Sequence, residues 1–258
     1  MKPMSKPGFS SSWLDLREPA DHAARDTSLL SHAAQCATDG AVIVDLGSGT
    51  GSTARAFNGK MTNGDWRFVD SDHRLLALAG QRHPGSEQLC ADLKEIDTLD
   101  FDGAGLVTAS ALLDLMPARW IETLAKRLKA ARVPLYAALN YNGAMEWLPA
   151  LADDSSITAS FNAHQLTDKG IGPAAGPNAA DVTAHIFKSH GFAVSMADSP
   201  WILGAGHAAL IEELLVGISK AATETGHAGA DDWLQQRRGL LSASTVQIGH
   251  TDILAVPR

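Results

Sequence analysis

Ala41-Val42-Ile43-Val44-Asp45-Leu46-Gly47-Ser48-Gly49-Thr50-Gly51 is an apolar run that ends in an acid and then breaks into three glycines at alternate positions. Four consecutive apolar residues before Asp45 suit a strand buried on both faces of a parallel sheet. The glycines let the chain turn sharply and approach a ligand with no Cβ in the way, and Thr50 to Phe57 reads as the start of a helix. A strand, a glycine loop and a helix in that order imply a nucleoside ligand at the C-terminal edge of an open sheet. A dinucleotide site would take G-x-G-x-x-G, with the helix N-terminus on a pyrophosphate. Here position 52 is Ser52 and the spacing is D-x-G-x-G-x-G. An acid two residues before the first glycine suits a cation better than a pyrophosphate.

The strand, acid and helix recur. Trp66-Arg67-Phe68-Val69-Asp70 reads as a strand closing on an acid 25 positions after Asp45, followed by a helix from about Ser71 to Arg82. A carboxylate at that place can accept both ribose hydroxyls, whereas helix capping suits Ser71 or Asp72 better. Further strands are expected at Glu87 to Leu93, Ala104 to Ala109, Val133 to Leu139, Phe192 to Met196 and Thr245 to Val256. Pro117 suits the first turn of a helix carrying Trp120, Leu124 and Leu128 on one face. A helix is expected near Asp181 to His190 and two more within Gly206 to Leu241, with a Gly/Pro/Ala connector from Gly170 to Ala180.

The chain has 258 residues, 45% of them hydrophobic, enough for a full core. No apolar run approaches a membrane span and Met1 to Ser12 lacks a secretory hydrophobic stretch, so a cytoplasmic protein is expected. Cys36 and Cys90 read as buried thiols, with no disulfide or zinc spacing. A formal net charge of −8 argues against a nucleic-acid partner. Lys126-Arg127-Lys129 and Gln236-Arg237-Arg238 read as solvated helix faces. The histidines and carboxylates show no metal-ligand spacing, and no metal is expected.

The D-x-G-x-G-x-G loop with Asp70 beyond it resembles motif I of the class I S-adenosylmethionine (SAM) dependent methyltransferases, whose cofactor carries a sulfonium and an ammonium and no phosphate. The resemblance implies a Rossmann-like α/β fold: a seven-stranded, mostly parallel sheet with helices on both faces and an antiparallel last strand between strands five and six. Residues 1–258 then form one domain, with a helical cap at 1–38 and helical elaborations at 141–190 and 204–243. It implies that SAM, leaving as S-adenosylhomocysteine, is held by Asp45, Gly47, Ser48, Gly49 and Gly51, with Asp70 and Ser71 at the ribose. Asp92 and Leu93 match the pair that meets adenine in the family, although Asp92 is also placed to cap a turn. Ser110 to Pro117 resembles motif IV, where Ser110 and Ala111 would flank the methionine part. Asp114 either closes the site from that side or starts the next helix.

Acceptor recognition is expected beyond strand five, in Asn140 and Tyr141 at the sheet edge, in Trp147, and in His164, the candidate general base with Tyr141 as a polar catalytic contact. A histidine among apolar and amide side chains is also an ordinary structural residue. N-terminal helices in the family often fold over the cofactor, which brings Arg17 and His22 into consideration as acceptor contacts. Arg17, Asp21 and Arg25 share one helical face, which reads equally as a salt-bridge ladder, and Pro19 favours a helix starting there over one running through from Trp13. The expected activity is methyl transfer to a small molecule by in-line displacement, in a monomer or homodimer. The absence of an N/D-P-P-Y tetrapeptide argues against amino-methyltransferases of DNA and of protein glutamine. Two alternatives remain at this stage: an aminopropyltransferase-like enzyme, with Asp153, Asp154 and Asp168 around a polyamine, and a non-catalytic partner subunit on the same fold.

Overall fold

The apolar run before the glycines forms β1 (Val42–Leu46), the middle of the parallel sheet. Alternation along it sends Val44 and Leu46 into one core and Ile43 into another, which is why the run is apolar throughout. The computed structural model describes residues 9–37, 40–61 and 64–258. Residues 1–8 and 38 of the expected N-terminal cap lie outside the described residues.

Around β1 the chain forms α1 (Ser11–Ala24), α2 (Thr27–Cys36), α3 (Ser52–Ala56), β2 (Asp65–Asp70), α4 (His73–Arg82), β3 (Glu87–Cys90), β4 (Ala104–Ser110) and α5 (Ala118–Ala131). Then come β5 (Leu135–Leu148), α6 (Asp154–Gln165), α7 (Ala179–Ser189), β6 (Phe192–Asp198), β7 (Trp201–Leu203), α8 (Ala208–Glu224), α9 (Ala230–Gly239) and β8 (Thr245–Pro257). The sheet order is β3-β2-β1-β4-β5-β8-β6, with β1 to β5 parallel and β8 antiparallel between β5 and β6. This is the expected seven-strand path. An eighth strand, β7, extends it by pairing Trp201 with Ile248 and Leu203 with Val246 on β8; at three residues after Pro200 it is too short to carry a pattern. The aliphatic stripe of α5, with Trp120, Leu124 and Leu128, packs on one face of the sheet together with α7, and α2 packs on the other.

Several expectations need correction. Residues 141–148, assigned to a helical elaboration, continue β5, because Tyr141, Met145 and Trp147 pair with His250, Ile248 and Val246 around a bulge at Gly143, whose φ is +91°. The β5/β8 ribbon therefore projects past the sheet edge, and a separate core of Trp147, Trp201, Trp233 and Leu215 forms where α6, α8 and α9 pack on it. Helix α1 runs straight through Pro19, with Ser10 Oγ capping it from the Trp13 N–H at 3.1 Å. Pro19 can donate nothing to the Asp15 carbonyl, but anchors on both sides of it, described below, hold the helix continuous. Cys90 is exposed on the edge strand and Cys36 is half-buried. Arg237 is not a solvated residue: it is fully buried, paired with Asp154, donates to the Pro149 carbonyl at 2.9 Å and stacks over Trp147. No helix among the described residues is long and apolar enough to cross a membrane.

Candidate functional site

The C-terminal ends of β1, β2 and β4 open into a crevice of about 870 Å³ that reaches past the end of β3, a size normal for small-molecule sites. At its centre lie Gly47, Ser48 and Gly49. Both glycines have left-handed backbone, and a Cβ on Gly47 would come 3.1 Å from Leu112. Asp70, half-buried at the end of β2, faces the crevice and orders the loop, accepting the Gly49 N–H and the Asp72 N–H, each at 2.9 Å. Ser71 lies beside it, and Asp92 and Leu93 line the far end. Asp92 also caps the following turn from the Lys94 N–H at 2.9 Å, the alternative the sequence left open. Ser110 and Ala111 line the near end, where Ala111 carries a φ of +47°. Left-handed backbone at a residue other than glycine is strained and characteristic of ligand sites.

Asp45 and Gly51 do not line the crevice. Asp45 shares the face of β1 with Ile43, and its carboxylate turns under the loop to accept the Thr108 hydroxyl at 2.7 Å. It is 1% exposed, and burial raises its pKa to about 7 against the opposing Thr108 hydrogen bond and Arg25 charge. Gly51 caps α3 in left-handed conformation, and a Cβ there would meet His83 at 2.8 Å and Phe68 at 3.1 Å. Its role is to let α3 and α4 close on one another.

Helix α1 lies across the glycine loop. Leu14 lines the crevice, 2.9 Å from where a Gly49 Cβ would be. Two bidentate pairs fasten the helix: Arg82 to Asp15 at 2.6 and 3.0 Å, and Arg55 to Glu18 at 2.6 and 2.5 Å. Both arginines also donate to the Thr50 hydroxyl, inside the loop. His22 does not reach the crevice; its Nε2 is 3.1 Å from both the carbonyl and the hydroxyl of Ser52. Of the expected ladder, Arg17 does grip Asp21, at 2.9 and 3.1 Å, and it lines the crevice. Arg25 leaves the ladder because the helix ends before it.

The remaining acceptor and catalytic candidates are not gathered at the crevice. His164, on α6, pairs with Glu224 of α8 at 2.9 Å and receives Lys169 on its carbonyl, so it joins two helices. The Tyr141 hydroxyl donates to Asn162 at 2.7 Å; the ring packs on Phe161 and His250. Asn140 is fully buried and donates to the carbonyls of Ala137 and Thr251. Trp147 stacks against Trp233 and Arg237 in the second core. Asp114 sits in a 3₁₀ turn with Oδ1 unpartnered, its pKa raised to about 6 by burial against the Arg17 and Lys169 charges. Of the acids that kept a polyamine reading open, Asp154 holds Arg237 and Trp233, and Asp168 closes a loop on the N–H groups of Gly170 and Gly172. Among the described residues no His/Cys/Asp/Glu group could hold a metal.

A row of buried polar residues escaped the sequence reading. Asp45 on β1, Thr108 on β4, Tyr136 on β5 and Asp252 on β8 share one sheet face, the first three as register partners. Asp252 accepts the Tyr136 hydroxyl at 3.1 Å, the Leu139 N–H at 2.8 Å and the Asp26 N–H at 3.0 Å. Over this row the α1–α2 linker lays Arg25, 4% exposed and lining the crevice, with Nη2 donating to Ser110 Oγ at 2.6 Å. A polar residue within an apolar strand, as Thr108 is in β4, was the available signal, and it means nothing until the strands are set side by side.

No family model matches the chain, and no curated protein matches it. Solved structures do. A cyclopropane synthase from Mycobacterium tuberculosis superposes with a TM-score of 0.54 at 13% identity, covering 96% of this chain and 94% of that one. Geranyl diphosphate C-methyltransferase from Streptomyces coelicolor A3(2), solved with Mg2+, geranyl diphosphate and S-adenosylhomocysteine, gives 0.53 at 12% identity, covering 100% and 89%. At such identities the likeness speaks to architecture, and together with the sheet order and the loop it shows that this chain has the fold of the class I SAM-dependent methyltransferases.

Proposed function

We propose that this chain is a SAM-dependent methyltransferase acting on a small-molecule acceptor. The observation that carries the reading is the crevice itself, where a glycine loop, the Asp70 carboxylate and a covering helix converge at the C-terminal edge of the sheet. The residues present fit the cofactor. Asp70 spends one N–H contact on each oxygen and keeps lone pairs for ribose hydroxyls, and Ser48 Oγ is buried without a partner beside it.

Bound SAM would supply a methyl group already activated by its sulfonium. What the chain adds is placement and exclusion of water. Leu14 and the α1 clamps cover the donor side, while Leu112, Leu115, Met116 and Ile171 give the rest of the crevice an apolar wall with Arg17 and Lys169 at its rim. Such a wall suits a compact, partly apolar acceptor that brings its own nucleophile. Held by Asp70, Ser48 and the glycine loop, SAM would pass that methyl group to the acceptor by in-line displacement and be left as S-adenosylhomocysteine, with any proton on the attacking atom going to solvent.

Equilibrium binding tests the reading: calorimetry with SAM and S-adenosylhomocysteine should show one site per chain. A chain that binds neither is not a methyltransferase, and the partner-subunit alternative then holds.

A further inference from the structure

Arg17 gives one edge of its guanidinium to Asp21 and keeps the other. Nε and Nη2 donate to the two Asp21 oxygens at 2.9 and 3.1 Å, which uses the side-on edge. The end-on edge, Nη1 with the second proton of Nη2, has no hydrogen bond among the described residues. A guanidinium carries its N–H donors in a fixed fork, and either edge matches the two oxygens of a carboxylate. The orientation of that open edge is set by its surroundings. Its plane lies over the Trp201 ring, 5.0 Å from the centroid, and Trp13 flanks it at 6.0 Å. The Trp201 indole N–H donates to Asp21 Oδ1 at 3.0 Å, so the ring that stacks on Arg17 also holds its partner. With the Arg17 and Asp21 side chains only 12% and 10% exposed, the edge is preorganised before any ligand arrives.

Position along the crevice says which reactant meets this edge. Arg17 lines the crevice with Lys169, Leu115, Met116 and Ile171. The charges of both cations act on Asp114, in the 3₁₀ turn that follows β4, which puts them on the β4 side. Asp70, Asp72 and Asp92 line the opposite side, at the ends of β2 and β3. The ends of β2 and β4 lie two strand spacings apart, about 10 Å. The crevice is thus divided by charge, and a nucleoside seated on Asp70 leaves the side with Arg17 and Lys169 to the second reactant. Asp114 does not take the open edge, since its Oδ1 has no partner. Asp21 on the neighbouring edge disfavours a doubly charged group there, which selects a carboxylate over a phosphate monoester.

Resting on the methyltransferase reading above, we infer that the acceptor is a small carboxylic acid, whose carboxylate docks on the end-on edge of Arg17 while its body lies along Leu115, Met116 and Ile171. Ligand-observed NMR titration tests this with benzoate and its neutral isostere benzamide, added to protein saturated with S-adenosylhomocysteine so that only the acceptor side is open. Benzoate should bind at least about 10-fold more tightly than benzamide, the scale of a charged hydrogen-bonded pair. In Arg17→Gln that preference should fall to within about twofold. Asp21→Asn removes the like charge beside the edge and should tighten benzoate by about threefold or more with benzamide unchanged. This second variant decides the matter if Arg17→Gln does not fold, because a purely structural role for the Arg17 and Asp21 pair gives no gain in affinity. Binding of neither probe, or equal binding of both, to the loaded protein overturns the acceptor assignment and leaves the methyl-donor reading standing. So does a preference that survives Arg17→Gln, or weaker benzoate binding in Asp21→Asn. Failure of the unaltered protein to bind S-adenosylhomocysteine overturns both.

Discussion

The crevice of this molecule and its helical elaboration use their most prominent polar side chains differently. Around the crevice, polar groups are left unspent: Ser48 Oγ, Asp45 Oδ2 and two nitrogens of Arg25 are buried without partners. In the elaboration on the β5/β8 ribbon, the conspicuous polar residues are spent on one another. Arg237 grips Asp154, Trp233 donates to that same carboxylate, Tyr141 donates to Asn162 and His164 pairs with Glu224. Unpaired polar groups gathered at an open crevice are where a ligand can complete the structure, whereas His227 Nδ1 and His250 Nδ1, also buried without partners, lie outside it.

The largest effect that would break this contrast lies in the elaboration. Arg237→Ala empties a fully buried position and leaves the half-buried Asp154 carboxylate without its cation, and should cost about 3–5 kcal/mol of stability, measured by urea unfolding, while S-adenosylhomocysteine affinity in the remaining folded protein stays unchanged. A matching loss of affinity would show that the two halves are not separable. Next comes Asp45, whose pKa of about 7 stands above the ordinary 3.8. The native state keeps a proton that the unfolded chain has lost, so stability falls as pH rises from about 4 to 7, by roughly 1.4 kcal/mol per pH unit at the steepest. Asp45→Asn should flatten that slope in unfolding curves taken across the window. Asp70→Ala should weaken S-adenosylhomocysteine binding by about 1–3 kcal/mol, read by calorimetry; unchanged affinity removes Asp70 from the ribose. Smallest is His164→Ala, which deletes a partly exposed pair and should alter stability by less than about 1 kcal/mol and leave donor affinity as it was. A collapse of methyl transfer in that variant would return His164 to the site.

The two halves also differed in how much the sequence disclosed. Gly47, Gly49 and Asp70 were legible because their work is done by backbone geometry and by position at a strand end, both of which a spacing pattern encodes. The acceptor side was not. His164, Tyr141 and Trp147 have the right chemistry for a site, but their orientation depends on a strand that continues past Asn140 and on helices that return from far along the chain. The same distance hid Arg25. As one member of an i, i+4 series it looked like a ladder rung, and only the end of α1 and the Asp252 anchor, 226 positions away from Asp26, turn it toward the crevice. Asp45 was recognised as significant and misassigned in direction, since a strand alternates faces and the acid falls on the face that α2 covers.

The bond between Asp26 and Asp252 joins the first linker of the described chain to its last strand. On a ribosome, residues 1–240 can emerge and the parallel strands can begin to associate while β8 is still unmade, because the N-terminal portion appears first. Until Asp252 arrives, nothing holds the Asp26 amide, and the anchor of Arg25 is missing. The wall that Arg25 gives the crevice is thus set jointly by residues 226 positions apart, and it forms only once β8 has paired.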